Sequence, residues 1–100
     1  MTELLKKLCL LDGVSGNEEN VSSAIISEID GHCDWHLDNL GNIIAFKKGK
    51  KPSKRRLVVD AHTDEVGLII TDITSDGFLK FTTVGGINTE VLLSRRVRIN

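Results

Sequence analysis

Apolar residues at three- and four-residue spacing predict two helices in the first third of the chain. Four leucines share one face of a helix drawn over residues 2–11, and two lysines lie on the opposite face. A second helix is predicted over about residues 16–30, because the same spacing recurs there and Gly31 follows it. Ser15 and Glu18 have the spacing of a capping box, in which the Ser15 hydroxyl accepts a hydrogen bond from an amide at the helix start.

Beyond Gly31 the spacing changes to the two-residue alternation of β-strands. Residues 33–37 alternate between apolar and polar, residues 38–42 are rich in turn formers, and residues 43–46 are apolar. We expect the two runs on either side of the turn to pair as antiparallel strands. The strand-like runs in the last third of the chain are 68–73, 78–84 and 97–99.

The loss of helical spacing after Gly67 predicts a domain boundary. Residues 1–67 would belong to an α/β domain, and residues 68–100 would begin a β-rich domain. The alternation at 97–99 continues to the end of the chain without a turn, a cap or a polar tail. We therefore expect a truncated polypeptide whose second domain is incomplete and leaves open strand edges.

An apolar run that stops at a histidine carries the main chemical signal. Residues 57–59 are β-prone and precede the small Ala61, which predicts a strand covered on both faces, as in a parallel sheet. His62 would then lie at the carboxyl end of this strand, where α/β sheets hold ligands. One ring nitrogen of His62 could bind a divalent metal such as zinc, while Asp64 accepts a hydrogen bond from the other. The same short pattern also occurs where a strand simply ends in exposed polar residues. A catalytic zinc site needs about three protein ligands, and this pattern supplies one histidine.

Composition narrows the class of protein without identifying it. A chain of 100 residues with 40% hydrophobic and 27% charged residues suits one small soluble domain and excludes disordered and collagen-like proteins. No apolar run approaches the roughly 20 residues that cross a bilayer, and the start of the chain lacks a secretory apolar block. We expect a cytoplasmic protein without a membrane partner, in which Cys9 and Cys33 are reduced and buried.

Basic residues are concentrated in one segment. Residues 47–56 contain seven of the 13 lysines and arginines, a cluster that could bind phosphates. The segment lies between two apolar runs, includes glycine and proline, and has no aromatic residue on which bases could stack. A solvated loop is favoured, and no nucleic acid partner is expected.

Several motifs in a fixed order indicate a family. Ala-His-Thr-Asp-Glu-Val-Gly at 61–67 is followed by Gly-Phe-Leu at 77–79 and Val-Gly-Gly at 84–86, and this combination is specific. The full set of matching segments is 4–8, 13–18, 38–42, 61–67, 76–79 and 84–87. Together they resemble the N-terminal third of the M42 metallo-aminopeptidases, the glutamyl and tetrahedral aminopeptidase group. Asp12 and Ser94 stand where the family often has proline and glycine, and neither lies in the metal motif.

The resemblance implies a fold and a reaction. Residues 1–67 would start a three-layer, zinc-peptidase-like α/β catalytic domain, and residues 68–100 would be the opening strands of an inserted, β-barrel-like dimerisation domain. Family members are hydrolases that remove N-terminal residues from peptides with two divalent ions, zinc or cobalt, per active site. His62 matches one metal ligand, and Asp64 matches the acid that orients it. The remaining ligands and the general-base glutamate are expected beyond Asn100.

Further expectations follow for assembly and for this chain alone. The full-length protein is expected to be a homo-oligomer of dimers that assemble into a larger shell. With one metal ligand, these 100 residues are expected to be inactive. Two other interpretations stay open: a short non-enzymatic assembly module that acts through its open β edge, and a glycoside hydrolase. The second would need two carboxylates on either side of a sugar bond, and the sequence pairs none convincingly outside the metal motif.

Overall fold

A computed structural model of the chain describes residues 1–51 and 53–100. The chain divides into two compact units, Met1–Asp64 and Glu65–Asn100. Its elements are α1 Thr2–Cys9, α2 Glu19–Ile29, β1 Asp34–Leu37, β2 Ile43–Phe46, β3 Gly67–Ile73, β4 Leu79–Val84 and a 3₁₀ helix Thr89–Leu92. The mixture of helices and strands that the pattern predicts is confirmed. The assignment of 1–67 and 68–100 to two peptidase domains stays a prediction.

Both predicted helices form, and each is shorter than its apolar pattern. Helix α1 ends at Cys9, two residues before the pattern ends, and α2 begins at Glu19 rather than near residue 16. Among the described residues, the buried hydrophobic side chains are Val21 and Ala24, both on α2. The core of the first unit is therefore small and centred on one face of this helix.

The predicted capping box does not form. Ser15 lies four residues before the start of α2, and its hydroxyl donates a hydrogen bond to Asp64 Oδ2 at 2.6 Å. The N-cap residue is Glu18, whose side chain makes no hydrogen bond to the helix. Its Oε1 accepts one from the Gly16 amide at 2.7 Å instead. The Ser15 hydroxyl makes a stronger hydrogen bond when it donates to an ionised carboxylate than when it accepts from a neutral amide. This difference favours the contact with Asp64.

Strands β1 and β2 form the predicted antiparallel pair, with Trp35 opposite Ala45. The Asp38 carboxylate organises their turn: Oδ1 accepts hydrogen bonds from the Leu40 and Asn42 amides, each at 2.9 Å. Oδ2 accepts a third from Asn42 Nδ2 at 2.8 Å. The hydrogen bond from the Asn42 side chain is the largest cause that holds the pKa of Asp38 below its ordinary value.

The buried strand predicted at 57–59 is not formed. Leu57, Val58 and Val59 belong to neither a helix nor a strand and are 90%, 82% and 84% exposed. Both sheets among the described residues are antiparallel pairs, so no parallel neighbour meets this run. A strand needs a partner for its amides and carbonyls, and apolar composition alone does not supply one. Residues 97–99, also expected as a strand, belong to neither a helix nor a strand.

The second unit is built on a β-hairpin. Strands β3 and β4 pair antiparallel, and their register shifts between Ile70 and Asp72. Thr74 closes the turn, because its amide donates to the Phe78 carbonyl at 2.8 Å and its hydroxyl accepts from the Phe78 amide at 2.9 Å. Asp72 also pairs with Lys80 Nζ at 2.9 Å. A ribbon of two strands cannot cover its own faces, which leaves much of its apolar surface exposed.

Other expectations concern the loop, the thiols and membranes. The described part of the basic segment, 47–51 and 53–56, contains no helix or strand and is exposed, while Pro52 lies outside the described residues. Both cysteines are free thiols, but Cys9 is exposed rather than buried, and Cys33 is half-buried. Nowhere in the described ranges is a helix long and apolar enough to cross a membrane.

Candidate functional site

A tight turn before α2 presents the Ser15 side chain. The Asn17 amide donates a hydrogen bond to the Val14 carbonyl at 2.7 Å, which places Ser15 and Gly16 at the two central positions. Gly16 has a φ of +89°, as the third position of a type II turn requires. The contact between the Gly16 amide and Glu18 Oε1 braces the same turn. Ser15 is therefore held on a well-defined stretch of backbone.

Gly13, directly before this turn, lies close against α2. It is buried, and a Cβ at this position would lie 2.5 Å from Val21 Cγ2 on α2. The same Cβ would be 3.7 Å from the Thr63 carbonyl oxygen. A side chain at position 13 would thus separate the turn from α2. Only glycine permits the present close approach to Val21, whereas the distance to the Thr63 carbonyl oxygen is an ordinary contact.

His62 and Asp64 lie together in the structure. Nδ1 of His62 is 3.1 Å from Asp64 Oδ1 and 2.9 Å from the Asp64 carbonyl oxygen. Both oxygens can only accept a hydrogen bond while Asp64 is ionised, so the proton of the neutral ring belongs on Nδ1. The other ring nitrogen, Nε2, then carries a lone pair. The His62 side chain is 86% exposed, which leaves this nitrogen accessible.

The Asp64 carboxylate contacts a partner on each of its oxygens. Oδ1 faces His62, and Oδ2 accepts the hydrogen bond from Ser15 Oγ at 2.6 Å. The Ser15 hydrogen bond is the largest cause that lowers the pKa of Asp64, and the His62 contact adds to it. Partial burial of Asp64 acts in the opposite direction and is outweighed. Asp64 is therefore an anion at neutral pH.

The donor set fits one ligand of a metal centre. A neutral imidazole whose Nδ1–H is held by a carboxylate is the usual arrangement of a metal-binding histidine. Within the ranges 1–51 and 53–100, no three histidine, cysteine, aspartate or glutamate side chains are grouped so that they could hold an ion. Nε2 of His62 could thus supply one coordination position, and the other ligands of such a centre would have to come from elsewhere.

Ser15 was not expected in this group from the sequence. Ser15 and Asp64 are 49 residues apart, and the local pattern around Ser15 indicated only a helix cap. No periodicity or short motif brings these two segments together. The only hint was the pair of motifs at 13–18 and 61–67, both of which contribute to the family resemblance.

Comparison with known proteins identifies the family. Residues 41–100 match the model of the M42 glutamyl aminopeptidase family. The chain belongs to the M42 family. The resemblance noted from the sequence motifs is thereby confirmed. A proposed aminopeptidase of Acetivibrio thermocellus is 46% identical over 99 residues, which are 98% of this chain and 29% of that relative.

Solved structures of similar proteins share the fold of this chain. The Pyrococcus horikoshii TET1 peptidase, which can assemble into a tetrahedron or a large octahedral shell, superimposes with a TM-score of 0.78 at 41% identity. That match covers 91% of this chain and 27% of TET1. A Thermotoga maritima protein described as an endoglucanase gives a TM-score of 0.80 at 43% identity, over 88% of this chain and 28% of its own. The chain spans less than a third of the length of these relatives.

Proposed function

We propose that the protein to which these residues belong is a metal-dependent aminopeptidase that removes N-terminal residues from peptides. The observation that carries the proposal is the hydrogen bond between His62 Nδ1 and Asp64 in a member of the M42 family. His62 would bind a metal ion through Nε2. Asp64 would orient the ring and raise its basicity as a ligand. These 100 residues would supply that part of the site and be inactive alone.

The chemistry assigned to this chain is that of a ligand and its support. A pair of divalent ions, zinc or cobalt, would supply Lewis acidity and a nucleophilic water when bound. Asp64 keeps the proton of His62 on Nδ1, so that Nε2 carries the lone pair on a side chain that is 86% exposed. Its negative charge also offsets the positive charge that the ring acquires as a ligand.

The finer architecture belongs to the same proposal. Residues 1–67 would be part of a three-layer catalytic domain, and 68–100 would open a β-barrel-like dimerisation domain. The exposed apolar side chains of β3 and β4 support this, because a two-stranded ribbon needs further strands or a partner to cover it. The shell formed by TET1 supports a homo-oligomer of dimers. A cytoplasmic location and a peptide substrate complete the proposal.

The test uses the complete gene product that contains this chain. Release of p-nitroaniline from aminoacyl p-nitroanilides should stop after chelation and return when Zn²⁺ or Co²⁺ is added. His62→Ala should lower the metal content and reduce kcat/KM by about 100-fold or more, above the 10- to 100-fold typical of outer partners of a metal. His36→Ala, an exposed histidine on β1, is the matched control and should behave as wild type. Equal behaviour of the two variants would contradict the role of His62.

Two other functions are outcomes of the same experiment. The similarity to the Thermotoga protein described as an endoglucanase makes a glycoside hydrolase the second candidate function. Hydrolysis of carboxymethylcellulose without hydrolysis of aminoacyl anilides would favour this candidate. The exposed strands β3 and β4 support a non-enzymatic assembly module as the third candidate. A natural gene product that ends at Asn100, self-associates and lacks hydrolytic activity would favour the assembly module.

A further inference from the structure

The Asp64 carboxylate is held from two sides. His62 Nδ1 lies 3.1 Å from Oδ1, and Ser15 Oγ donates to Oδ2 at 2.6 Å. We propose that Ser15 is a positioning residue for the metal-binding His62 and acts through Asp64. This inference rests on the proposed function of His62 as a metal ligand. The inference adds Ser15, from a distant part of the chain, to the group that supports the metal ligand. The sequence pattern indicated Ser15 only as a helix cap.

A single contact with His62 would leave the carboxylate free to turn. The terminal torsion of an aspartate side chain is broad, so its plane is set by its partners rather than by an intrinsic preference. The distance of 2.6 Å falls in the range of a charge-assisted hydrogen bond between a hydroxyl and a carboxylate. With Oδ2 held by Ser15, Oδ1 is left facing the imidazole.

The Asp64 carbonyl makes the expected effect of Ser15 partial. Nδ1 of His62 also lies 2.9 Å from that carbonyl oxygen, so the ring keeps an acceptor even if the carboxylate turns to solvent. Loss of Ser15 would therefore preserve the tautomer of His62. The negatively charged Asp64 carboxylate would no longer be held beside the ring, and the ring would become a weaker ligand.

The backbone around Ser15 suits a positioning role. The turn that holds it is closed by the hydrogen bond from Asn17 to Val14 and braced by Glu18. Gly13, directly before the turn, lets this segment lie close against Val21 of α2. Ser15 thus reaches Asp64 from a turn that two hydrogen bonds hold together.

The test measures the affinity of the complete gene product for Zn²⁺ and Co²⁺ by competition with a chromophoric chelator. Ser15→Ala should weaken the site to which His62 belongs by about three- to tenfold, less than the 10- to 100-fold typical of a direct partner of the ligand. Ser15→Thr keeps the hydroxyl and should restore the affinity. Ser23→Ala removes an exposed serine of α2 and should leave it unchanged. In the Co²⁺ form, the visible absorption bands should shift in Ser15→Ala and return in Ser15→Thr.

Coupling to Asp64 separates positioning from general stabilisation. In an Asp64→Ala background, Ser15→Ala should have no further effect on metal affinity, because the carboxylate through which it acts is gone. An equal loss in both backgrounds would overturn the proposal, and so would wild-type affinity in Ser15→Ala while His62→Ala loses metal. If His62→Ala binds metal as wild type does, the proposed function fails first and the role of Ser15 fails with it.

Discussion

Gly13→Ala should disturb both the core of the first unit and the approach of Ser15 to Asp64. The added Cβ would lie 2.5 Å from Val21 Cγ2, whereas ordinary contact begins at 3.4 Å, so the atoms must separate by roughly 0.9 Å. Val21 is β-branched and lies in a helix, where one χ1 rotamer dominates, so its methyl group cannot turn aside easily. The loop that carries Ser15 is expected to take up most of the shift.

The free-energy terms indicate which effect prevails. Overpacking of this kind costs typically about 1–3 kcal/mol. Replacing glycine by alanine also restricts the unfolded chain, which favours folding by about 0.4–1 kcal/mol, so the net effect is destabilising. If the shift lies along the Ser15–Asp64 contact, the distance rises from 2.6 Å to about 3.5 Å, past the limit for a hydrogen bond between two oxygens.

Hydrogen exchange of the amides of α2, followed by mass spectrometry, measures the local effect in the complete gene product. The middle values of the two terms, about 2 and about 0.7 kcal/mol, leave a net loss of about 1.3 kcal/mol, which corresponds to exchange roughly tenfold faster. Metal affinity should fall as in Ser15→Ala. Gly86→Ala is the control, because its Cβ would have no neighbour within 4 Å. Val21→Ala should cost about 1.6 kcal/mol alone but relieve the clash when combined with Gly13→Ala. Wild-type exchange in Gly13→Ala, or strict additivity of the pair, would refute the steric argument.

Two further predictions concern the hairpins. The pKa of Asp38 lies below its ordinary value of 3.8, chiefly because of the hydrogen bond from Asn42, so its stabilisation is complete above that value and is lost as the pH falls through the lowered pKa. Protection of the β1 and β2 amides should therefore fall as the pH is lowered through and below 3.8. Asp38→Ala should remove this dependence, and an unchanged pH profile in that variant would contradict the prediction. Gly85 has a φ of +81°, and a Cβ there would lie 2.9 Å from Val66 Cγ1. Gly85→Ala should destabilise the β3–β4 hairpin by about 1–2 kcal/mol or more, measured as faster amide exchange, whereas equal exchange in Gly85→Ala and Gly86→Ala would count against it.

Local chemistry made several elements of this protein predictable from its sequence. The alternation at 33–37, the turn formers at 38–42 and the apolar run at 43–46 predicted an antiparallel pair that the structure contains. The two helices were predictable for the same reason, because their apolar spacing depends only on neighbours in the chain. The pairing of His62 with Asp64 was also proposed from the sequence, since two residues of separation place a carboxylate within reach of the ring.

Only the tertiary structure decided the features that depend on distant segments. The apolar run at 57–59 has the composition of a buried strand, but a strand forms only where another segment offers backbone partners, and none of the described residues does so. The role of Ser15 was hidden in the same way. Its sequence context indicated a cap for α2, while the folded chain brings it to Asp64 across 49 residues. Spacing along the chain determines which side chains share a face of one element; contacts between elements are determined by packing, here by the space that Gly13 leaves beside Val21.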